Sequence, residues 1–382
     1  MTNMKLLYFV NSLTNSGGIE RILVDKVNYL AGLPNVPYDI HVAYYGRKSD
    51  KLFYRLHPSV TLHPINIMDS TSSFSKKIMV ISVLYRYIKQ IVREVSPDVI
   101  INENMRLTSY ILPFTFKNIP RIYVIHFSYD GLKIMDKEAF PNPLKRYFLM
   151  WLRTSLLKRY DKFIVLTEHD KQMWNAPSVE VIPNFTNVHS TDISRLSSKK
   201  AVCVGRLEYQ KDMSMLIRAW RLVVEKEMEW TLDIWGQGSE YSDLKDLIKE
   251  LELEHNVFLR GVTDDVTEEY EKASLFVLAS RYEGFALVLL EAMSMGLPCI
   301  SFDISGCNNV IDDGTNGLLA KKRSEKVLAE TILHYIDMDK EQKIAMQNHA
   351  IATEVRYHKD AVMKQWIKLF DSLTKQYRSK RL

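Results

Sequence analysis

The first part of the chain alternates between short apolar runs and longer stretches with helical periodicity. The apolar runs are typical of buried parallel strands and lie at residues 5–10, 40–45, 98–101, 121–125 and 163–166. Helix-like stretches include residues 20–30 and 76–95, and the polar residues of the second form one narrow stripe, as in a helix packed on a sheet. This alternation predicts a doubly wound α/β domain.

A polar stretch at residues 184–200, rich in Ser, Thr and Asn, interrupts this alternation and predicts a linker at 186–200. Strand-like runs then resume at residues 201–204, 230–234, 257–259, 275–278 and 298–302. We therefore predict two Rossmann-like domains, at 1–185 and 201–355, and an amphipathic helix at 356–382 that packs back toward the N-terminal domain. Because ligands bind at the carboxyl ends of strands in such sheets, the predicted site is a deep cleft between the domains.

The bulk composition is that of an ordinary globular protein. The chain has 382 residues, of which 46% are hydrophobic and 25% charged. It contains no apolar run long enough to span a bilayer, and its first residues do not resemble a signal peptide. The cysteines are Cys203, Cys299 and Cys307, which are few, odd in number and without metal-ligand spacing. These features predict a cytoplasmic protein.

Positive charge is concentrated in the first 200 residues, which hold 27 Lys and Arg against 16 Asp and Glu. This excess indicates an anionic partner such as lipid headgroups, a pyrophosphate-linked acceptor or nucleic acid, although a solvated lysine-rich surface has the same composition. Residues 127–151 combine aromatic side chains with cations such as Lys145 and Arg146, which suits an anionic membrane surface. Residues 144–160, however, are apolar on nearly every side, which predicts a core helix.

Glu283 and Glu291 lie eight residues apart, one on each side of an apolar run. In a helix, that separation is about two turns. Gly284 permits a close backbone approach, and free N–H groups at a helix start can bind a phosphate. A carboxylate on each side of such a helix start suits a sugar nucleotide, with one acid near the sugar and the other near the ribose. Glu283 could instead only support the helix dipole, whereas a buried Glu291 needs a ligand or a polar partner.

Two cations follow the first strand of the second predicted domain. Arg206 and Lys211 stand five residues apart in a loop that begins with Gly205 and leads into a helix. Arginine can bind a phosphate through two parallel hydrogen bonds, and lysine adds a point charge. Gly236 and Gly238 form a glycine turn after the next strand, which could be ordinary turn chemistry.

Together, these segments resemble the family 4 glycosyltransferases, a large family of retaining enzymes with the GT-B fold. The resemblance covers most of the chain and is strongest over residues 202–319. Its motifs are Gly-Arg-x4-Lys from Gly205, the Gly-x-Gly turn, Glu-x7-Glu from Glu283 and Asp-Asp-Gly-x2-Gly from Asp312. Looser matches are Ser-Gly-Gly at 16–18, His126 and Ile-Pro-Asn at 182–184.

The resemblance implies a role for each matching residue. Arg206 and Lys211 would bind the donor diphosphate, and Glu283 would face the donor sugar. Glu291 would hydrogen-bond the ribose, and His126 would reach across the cleft toward the sugar, so that the catalytic residues are His126, Glu283, Arg206 and Lys211. The other donor-binding positions would be Gly17, Gly18, Gly205, Gly236, Gly284, Phe285, Ala286, Leu287 and Val288, with the N–H groups of 285–288 capping the distal phosphate.

Some of these positions also have a purely structural interpretation, and others depart from the family pattern. Gly17 and Gly18 could form only a tight βα turn, and His126 could be a structural histidine. Asp212 and Ala286 stand where the family commonly has glycine. The extra methyl of Ala286 narrows the backbone options near the phosphate, and Asp212 puts the placement of Lys211 in doubt because it adds negative charge there.

The chain has no Asp-x-Asp sequence at a predicted strand end, and Asp264-Asp265 and Asp312-Asp313 are typical of turns. We therefore predict no metal and no cofactor, with the leaving diphosphate stabilised by Arg206, Lys211 and a helix N-terminus. The resemblance implies retention of configuration. Because no clear nucleophile is present, we favour a front-face displacement in which the departing phosphate helps to deprotonate the acceptor.

The expected reaction transfers a hexose or N-acetylhexosamine from a nucleotide-diphosphate sugar, UDP-sugar favoured over GDP-sugar, to a glycan acceptor. We expect a lipid-linked acceptor, such as a polyprenyl-diphosphate-linked saccharide, in bacterial surface polysaccharide synthesis. Partners then include an anionic surface at the inner face of the cytoplasmic membrane, but no nucleic acid. The alternatives are a non-catalytic sugar-nucleotide-binding scaffold, a sugar-nucleotide epimerase, and a nicotinamide enzyme, which the absence of Gly-x-Gly-x-x-Gly from the first βα turn disfavours.

Overall fold

The structure is a computed structural model in which the chain forms two compact units. The first unit contains Met1–His126, Met135–Ile182 and Val362–Leu382, and the second contains Phe127–Ile134 and Pro183–Ala361. The described residues are 3–15, 17–34, 38–67, 74–103, 106–176, 178–188, 192–263 and 265–379, without the side chains of 74–78. Ser16 and Asp264 of the sequence motifs lie outside them.

The first unit is built on a seven-stranded sheet. Its strands are β1 (Met4–Val10), β2 (Tyr38–Tyr45), β3 (Thr61–Ile65), β4 (Val99–Asn102), β5 (Arg121–Val124), β6 (Lys162–Val165) and β7 (Val179–Val181). All pairings are parallel, in the order β3-β2-β1-β4-β5-β6-β7. The central strands β4 and β5 are buried along their whole length, which is why they appear in the sequence as continuous apolar runs.

The helices that follow these strands are short or strongly amphipathic. They are α1 (Gly18–Ala31), α2 (Phe74–Val95), α3 (Thr108–Ile111), α4 (Tyr129–Ala139), α5 (Pro143–Leu157) and α6 (Glu168–Trp174), with a 3-10 turn at Leu112–Phe114.

The second unit repeats this design with six parallel strands. They are β8 (Lys200–Val204), β9 (Thr231–Trp235), β10 (Val257–Gly261), β11 (Leu275–Leu278), β12 (Cys299–Phe302) and β13 (Gly317–Ala320), in the order β10-β9-β8-β11-β12-β13. The helices that follow β8 along the chain are α7 (Met213–Val224), α8 (Tyr241–Glu250), α9 (Thr267–Lys272), α10 (Leu287–Ser294), α11 (Glu325–Asp337), α12 (Lys340–Arg356) and α13 (Lys359–Ser379). The predicted fold class, two doubly wound Rossmann-like sheets, is confirmed.

Three strands were absent from the sequence prediction, and all three lie at sheet edges. Residues of β3 and β7 are mostly half-buried, because an edge strand has fewer neighbours to cover it, so no continuous apolar run marks them. The strand β13 is buried but only four residues long, and it begins with Gly317 of the Asp-Asp-Gly-x2-Gly motif. That motif indicated a turn rather than a strand.

Residues 192–199, inside the predicted linker, are anchored to the second unit. The Ser194 hydroxyl donates to the Ala273 carbonyl, and the side-chain amide of Gln347 donates to the Ser194 carbonyl at 2.7 Å. At the other end of the chain, α13 from Val362 onward belongs to the first unit. There the Tyr377 hydroxyl donates to Asp161.

The prediction of a core helix at 144–160 is wrong for the first half of that segment. Leu144, Tyr147, Phe148 and Trp151 of α5 have exposed fractions of 78%, 76%, 55% and 56%, and only Leu156 and Leu157 near its end are buried. A helix that is apolar on every side cannot reveal from its own sequence which side the rest of the protein covers. No helix in the described part of the chain is long and apolar enough to cross a membrane.

Candidate active site

Two loops of the second unit carry most of the predicted site residues. One follows β8 and contains Gly205, Arg206 and Lys211, and the other follows β11 and leads to Glu283 and α10. The strands β8 and β11 are hydrogen-bonded neighbours, so the loops leave the sheet side by side at its carboxyl edge. The loops also bond directly, since the side-chain amide of Gln210 donates to the Tyr282 carbonyl at 3.1 Å.

Lys211 and Glu283 form an ion pair between these loops. The Lys211 Nζ lies 2.7 Å from Glu283 Oε1, and the Ser280 hydroxyl donates to the same oxygen at 2.6 Å. Both side chains of the pair are largely buried, so each needs the other to offset its lost hydration. Two residues that were predicted from separate motifs are thus in direct contact.

Arg206 lies in the same loop but is exposed. Its guanidinium has a weak contact, in which Nη2 donates to Gln210 Oε1 at 3.4 Å. Because this guanidinium is exposed and weakly bonded, it can turn toward an anion at a small cost in free energy.

Asp212 does not disturb Lys211 as the sequence suggested. Its backbone has a φ of +48°, the left-handed conformation that glycine would adopt most easily. Its buried carboxylate is paired with Arg281, at 3.0 Å, and with Arg323. Arg323 also donates to the Ala279 and Ser280 carbonyls at 2.9 and 2.7 Å. The negative charge is therefore neutralised, and it ties the two loops together.

The glycine turn after β9 packs against the first loop. Gly236 has a φ of +147°, and a Cβ atom there would lie 1.8 Å from the Gly205 carbonyl oxygen. A Cβ at Gly238 would lie 2.2 Å from the Leu207 oxygen. Leu207 N–H donates to the Gln237 carbonyl at 3.0 Å. These glycines therefore have a packing role that exceeds ordinary turn chemistry.

Gly306 supports the second loop and was missed by the sequence analysis. A Cβ atom at this glycine, whose φ is +85°, would lie 2.6 Å from the Glu283 carbonyl oxygen. The Ala286 N–H donates to the Gly306 carbonyl at 3.1 Å, and the Leu287 N–H donates to the Phe285 carbonyl. Of the four N–H groups predicted to cap a phosphate, these two already have acceptors in the protein, which makes Phe285 and Val288 the better candidates.

Glu291 lies on α10 and is buried. The hydroxyl of the fully buried Tyr270 lies 3.5 Å from its Oε2. The polar partner that a buried carboxylate requires is thus supplied at least in part by the protein itself.

The remaining predicted residues lie in the first unit. Gly17 precedes α1, whose first residue is Gly18, and a Cβ at Gly17 would meet only the flexible carboxylate of Glu20. His126 follows β5, and its Nε2 lies 3.2 Å from Glu103 Oε2 at the end of β4. Glu103 was missed because a single glutamate after a strand has no distinguishing local pattern.

Asp264-Asp265 and Asp312-Asp313 were both predicted to form turns. Asp264 lies outside the described residues, and both aspartates of the second pair form ion pairs. Asp312 is paired with Arg356 and Asp313 with Lys321, at 3.0 and 2.9 Å. Among the residues that the structure describes, no three His, Cys, Asp or Glu side chains are arranged to hold a metal ion.

Two family models match consecutive parts of the chain. The model described as Glycosyltransferase Family 4 matches residues 16–190, and the one described as Glycosyl transferases group 1 matches residues 190–351. The chain belongs to the family 4 glycosyltransferases. The resemblance drawn from its motifs is confirmed, as is the prediction that it is a transferase.

Curated relatives of this glycosyltransferase are similar over most of its length. It is 26% identical to an uncharacterized glycosyltransferase of Haemophilus influenzae, across 84% of this chain and 87% of the relative. It is 25% identical to the amylovoran biosynthesis glycosyltransferase AmsD of Erwinia amylovora, across 95% and 98%. It is 26% identical to the poly(ribitol-phosphate) alpha-N-acetylglucosaminyltransferase of Staphylococcus aureus, across 75% of this chain and 58% of that one.

Solved structures share the fold of this glycosyltransferase. Sucrose-phosphate synthase from Thermosynechococcus elongatus superposes with a TM-score of 0.81 at 16% identity, across 98% of this chain and all of that one. Anabaena HepE, solved in complex with UDP and glucose, superposes with a TM-score of 0.73 at 18% identity, across 97% and 100%. These likenesses confirm the GT-B fold.

Proposed function

We propose that this glycosyltransferase moves a hexose or N-acetylhexosamine from a UDP-sugar to a glycan acceptor with retention of configuration. The observation that carries the proposal is the Lys211–Glu283 pair at the carboxyl ends of β8 and β11, beside the exposed Arg206. A diphosphate offers Lys211 more negative charge than one carboxylate does. Lys211 can then turn to the donor, and Glu283 becomes free to accept a hydrogen bond from a sugar hydroxyl.

In the proposed reaction the bond between the anomeric carbon and the diphosphate oxygen breaks, and the electron pair stays on the diphosphate. The acceptor hydroxyl attacks the same face of the sugar, and its proton passes to the departing phosphate oxygen. Arg206 and Lys211 stabilise the charge on the leaving group, with help from N–H groups at the start of α10. The Ser280 hydroxyl donates to Glu283 Oε1 at 2.6 Å and continues to orient this carboxylate after Lys211 has turned to the donor, which fits a sugar-binding role better than that of a nucleophile.

The relatives support the choice of donor and acceptor. HepE was solved with UDP and glucose, and the names of two relatives refer to amylovoran biosynthesis and to poly(ribitol-phosphate) as acceptor. We propose that the acceptor of this chain is likewise a bacterial surface polysaccharide or its polyprenyl-diphosphate-linked precursor. We also propose that the protein works at the inner surface of the cytoplasmic membrane, as a peripheral protein without a nucleic-acid partner.

The exposed face of α5 supports the membrane proposal. Leu144, Tyr147, Phe148 and Trp151 follow the i, i+3, i+4, i+7 spacing of one helix face, and all four are exposed. Exposed Lys145 adjoins this face, with its Nζ 4.1 Å from the centre of the Phe140 ring. An apolar stripe flanked by cations is the composition with which a helix lies on an anionic bilayer.

A panel of UDP- and GDP-sugars tests the function. We expect one or a few UDP-sugars to raise the melting temperature, because a ligand of the folded state stabilises it, and to be hydrolysed slowly without acceptor. We expect this turnover to continue in excess EDTA. A scaffold would bind the sugar nucleotide and leave it intact, so stabilisation without any hydrolysis or transfer contradicts the proposal. Turnover that stops in EDTA and returns with Mg²⁺ refutes metal independence alone.

A further inference from the structure

Three ionisable side chains are buried together at the carboxyl edge of the first unit's sheet. Lys26 of α1, Glu103 after β4 and His126 after β5 have side-chain exposures of 3%, 1% and 5%. Lys26 Nζ forms an ion pair with Glu103 Oε1, and the other carboxylate oxygen, Oε2, lies 3.2 Å from His126 Nε2. Because β4 and β5 are neighbours in the sheet, the residues that follow them meet at this edge.

The charge of Glu103 decides which nitrogen of His126 carries a proton. Burial by itself raises the pKa of Glu103, but the attraction of Lys26 and the hydrogen bonds from His126 and Lys26 outweigh it and lower the pKa to about 2. Glu103 is therefore a carboxylate at neutral pH and can only accept hydrogen bonds. The bond to His126 then requires the proton to be on Nε2.

The second nitrogen of the ring, Nδ1, is left as an unused acceptor. It is buried and has no hydrogen-bond partner in the part of the chain that the structure describes. Buried polar atoms almost always have a partner. With the proton on Nε2, Nδ1 carries a lone pair that can accept one hydrogen bond.

The surroundings hold the cluster in place. The Nζ of Lys26 lies 4.3 Å from the centre of the Trp366 ring and 5.7 Å from that of Tyr8. Aromatic faces at these distances attract an ammonium group and exclude water from it. The ammonium group of Lys26 is thus held inside the unit by these contacts.

We propose that Lys26 and Glu103 are positioning residues that hold His126 as the Nε2–H tautomer, so that Nδ1 accepts a hydrogen bond from a hydroxyl of the donor sugar. The inference rests on the proposed function and on the family resemblance, which implies that His126 faces the donor sugar. Glu103 orients the imidazole, and Lys26 keeps Glu103 ionised. The family resemblance pointed to His126 alone, and neither positioning residue stands in a recognisable motif.

The first test reads the tautomer directly. Long-range 1H–15N correlation spectra of the full chain, labelled with 15N-histidine and assigned with His126→Gln, are expected to show Nε2 protonated and Nδ1 unprotonated at neutral pH. Adding the UDP-sugar that the turnover assay selects is expected to shift the Nδ1 resonance upfield, as hydrogen-bond acceptance requires. A protonated Nδ1, or an Nδ1 resonance unmoved by a saturating donor, overturns the proposal.

The second test compares the Glu103–His126 contact after β5 with an ion pair at the start of that strand. Glu103→Gln offers His126 either a donor or an acceptor and no longer selects the tautomer. We expect kcat/KM to fall about 10- to 100-fold, the effect of one charge-assisted hydrogen bond. The control is Asp161→Asn, which breaks the pair with Arg121 at the start of the same strand. It is expected to lower the melting temperature without a comparable loss of kcat/KM.

A double variant separates positioning from folding. Lys26→Met and Glu103→Met should each lower the melting temperature, because each leaves an unpaired buried group. The double variant Lys26→Met/Glu103→Met leaves neither charge, so its stability should recover toward that of the wild type while its activity stays low. Recovery of both contradicts the positioning role. If the wild type itself turns over no sugar nucleotide, it is the proposed function that fails, whereas the tautomer is decided by the spectra in either case.

Discussion

In the proposed function Lys211 has two competing partners, Glu283 and the donor diphosphate. Arg206 is a cation of the same loop but differs from Lys211 in its burial. Lys211 neutralises the buried Glu283 at 2.7 Å, so its loss leaves a carboxylate with Ser280 as its remaining hydrogen-bond donor among the contacts described for the pair. Arg206 is exposed and has one weak contact. At the scale of single residues, a positive charge of this loop thus stabilises the fold at Lys211, whereas at Arg206 it remains exposed and weakly bonded.

Substituting each cation by alanine should separate these contributions. Each variant should lose about 1.5–3 kcal/mol of donor binding, the range for a hydrogen bond to a charged group. Arg206→Ala should keep its free energy of unfolding within about 0.5 kcal/mol, as usual for a surface change. Lys211→Ala should in addition lose about 1–3 kcal/mol of stability, because a buried group loses its partner.

Isothermal titration with the selected UDP-sugar and urea unfolding of both variants provide the measurements. Lys326→Ala, a change at a highly exposed lysine of α11, is the control for loss of one positive charge. Wild-type donor affinity in either site variant would contradict the assignment of that residue to the diphosphate. Unchanged stability of Lys211→Ala would contradict a stabilising role for its ion pair with Glu283.

At the scale of elements, the loops after β8 and β11 are shaped by the segments that pack against them. The turn at Gly236 presses against Gly205, and Gly306 presses against the backbone of Glu283. In both places a side chain would occupy the space of a backbone atom. The loops therefore hold their form through packing between segments that follow different strands.

Gly236→Ala tests this dependence. Its Cβ would lie 1.8 Å from the Gly205 carbonyl oxygen, so the first loop must move, and we expect donor turnover to fall at least tenfold. Gly314→Ala is the matched control, because Gly314 also has a positive φ, +76°, but nothing within 4 Å of its Cβ position. It should lose about 1–2 kcal/mol of stability from backbone strain and keep its turnover. Equal turnover in both variants would contradict a packing role for Gly236.

The helix α5 makes the second prediction at this scale. We expect the protein to sediment with anionic liposomes at low salt, and less so at high salt. Serine at Leu144, Tyr147, Phe148 and Trp151 should abolish sedimentation, and glutamine at Lys145 and Arg146 should weaken it. Serine at Met228 and Val262, two apolar residues exposed elsewhere, is the control. If the wild type stays in the supernatant, or the control loses binding equally, α5 is not the membrane contact.

At the scale of the whole molecule, stability depends on charges buried inside a unit. The pKa of Glu103 is lowered from 4.5 to about 2 in the folded chain. A lowered pKa means that the unfolded chain binds the proton more tightly, so the contribution of Glu103 is complete above pH 4.5 and disappears as the pH falls to 2. Its size is on the order of 3 kcal/mol.

Urea unfolding between pH 7 and pH 2, followed by circular dichroism, measures this contribution. The free energy of unfolding of the wild type should fall more steeply below pH 4.5 than that of Glu103→Gln, which has no carboxylate to titrate. Both proteins share every other acid, so parallel curves would show that Glu103 is not held as a buried carboxylate.

Much of the fold and of the candidate site could be predicted from the sequence. Parallel strands covered on both faces are continuous apolar runs, so the strands from β1 to β12 were found except for the edge strand β3 and the short β7. Motif residues are attached to the ends of those strands. Because parallel neighbours end at one edge, the loops of Lys211 and Glu283 had to come close together.

Other features were decided only by the tertiary structure. Lys26 and Glu103 are 77 residues apart in the chain, Gly306 supports a loop more than 20 residues before it, and Asp212 finds Arg323 111 residues away. No local pattern predicts such contacts, because a charged side chain taken alone is typical of a solvated surface and a single glycine is typical of an ordinary turn. The exposed face of α5 was also decided by the tertiary structure. The sequence of an apolar helix shows which of its faces could be buried, and the elements packed against it determine which face is buried.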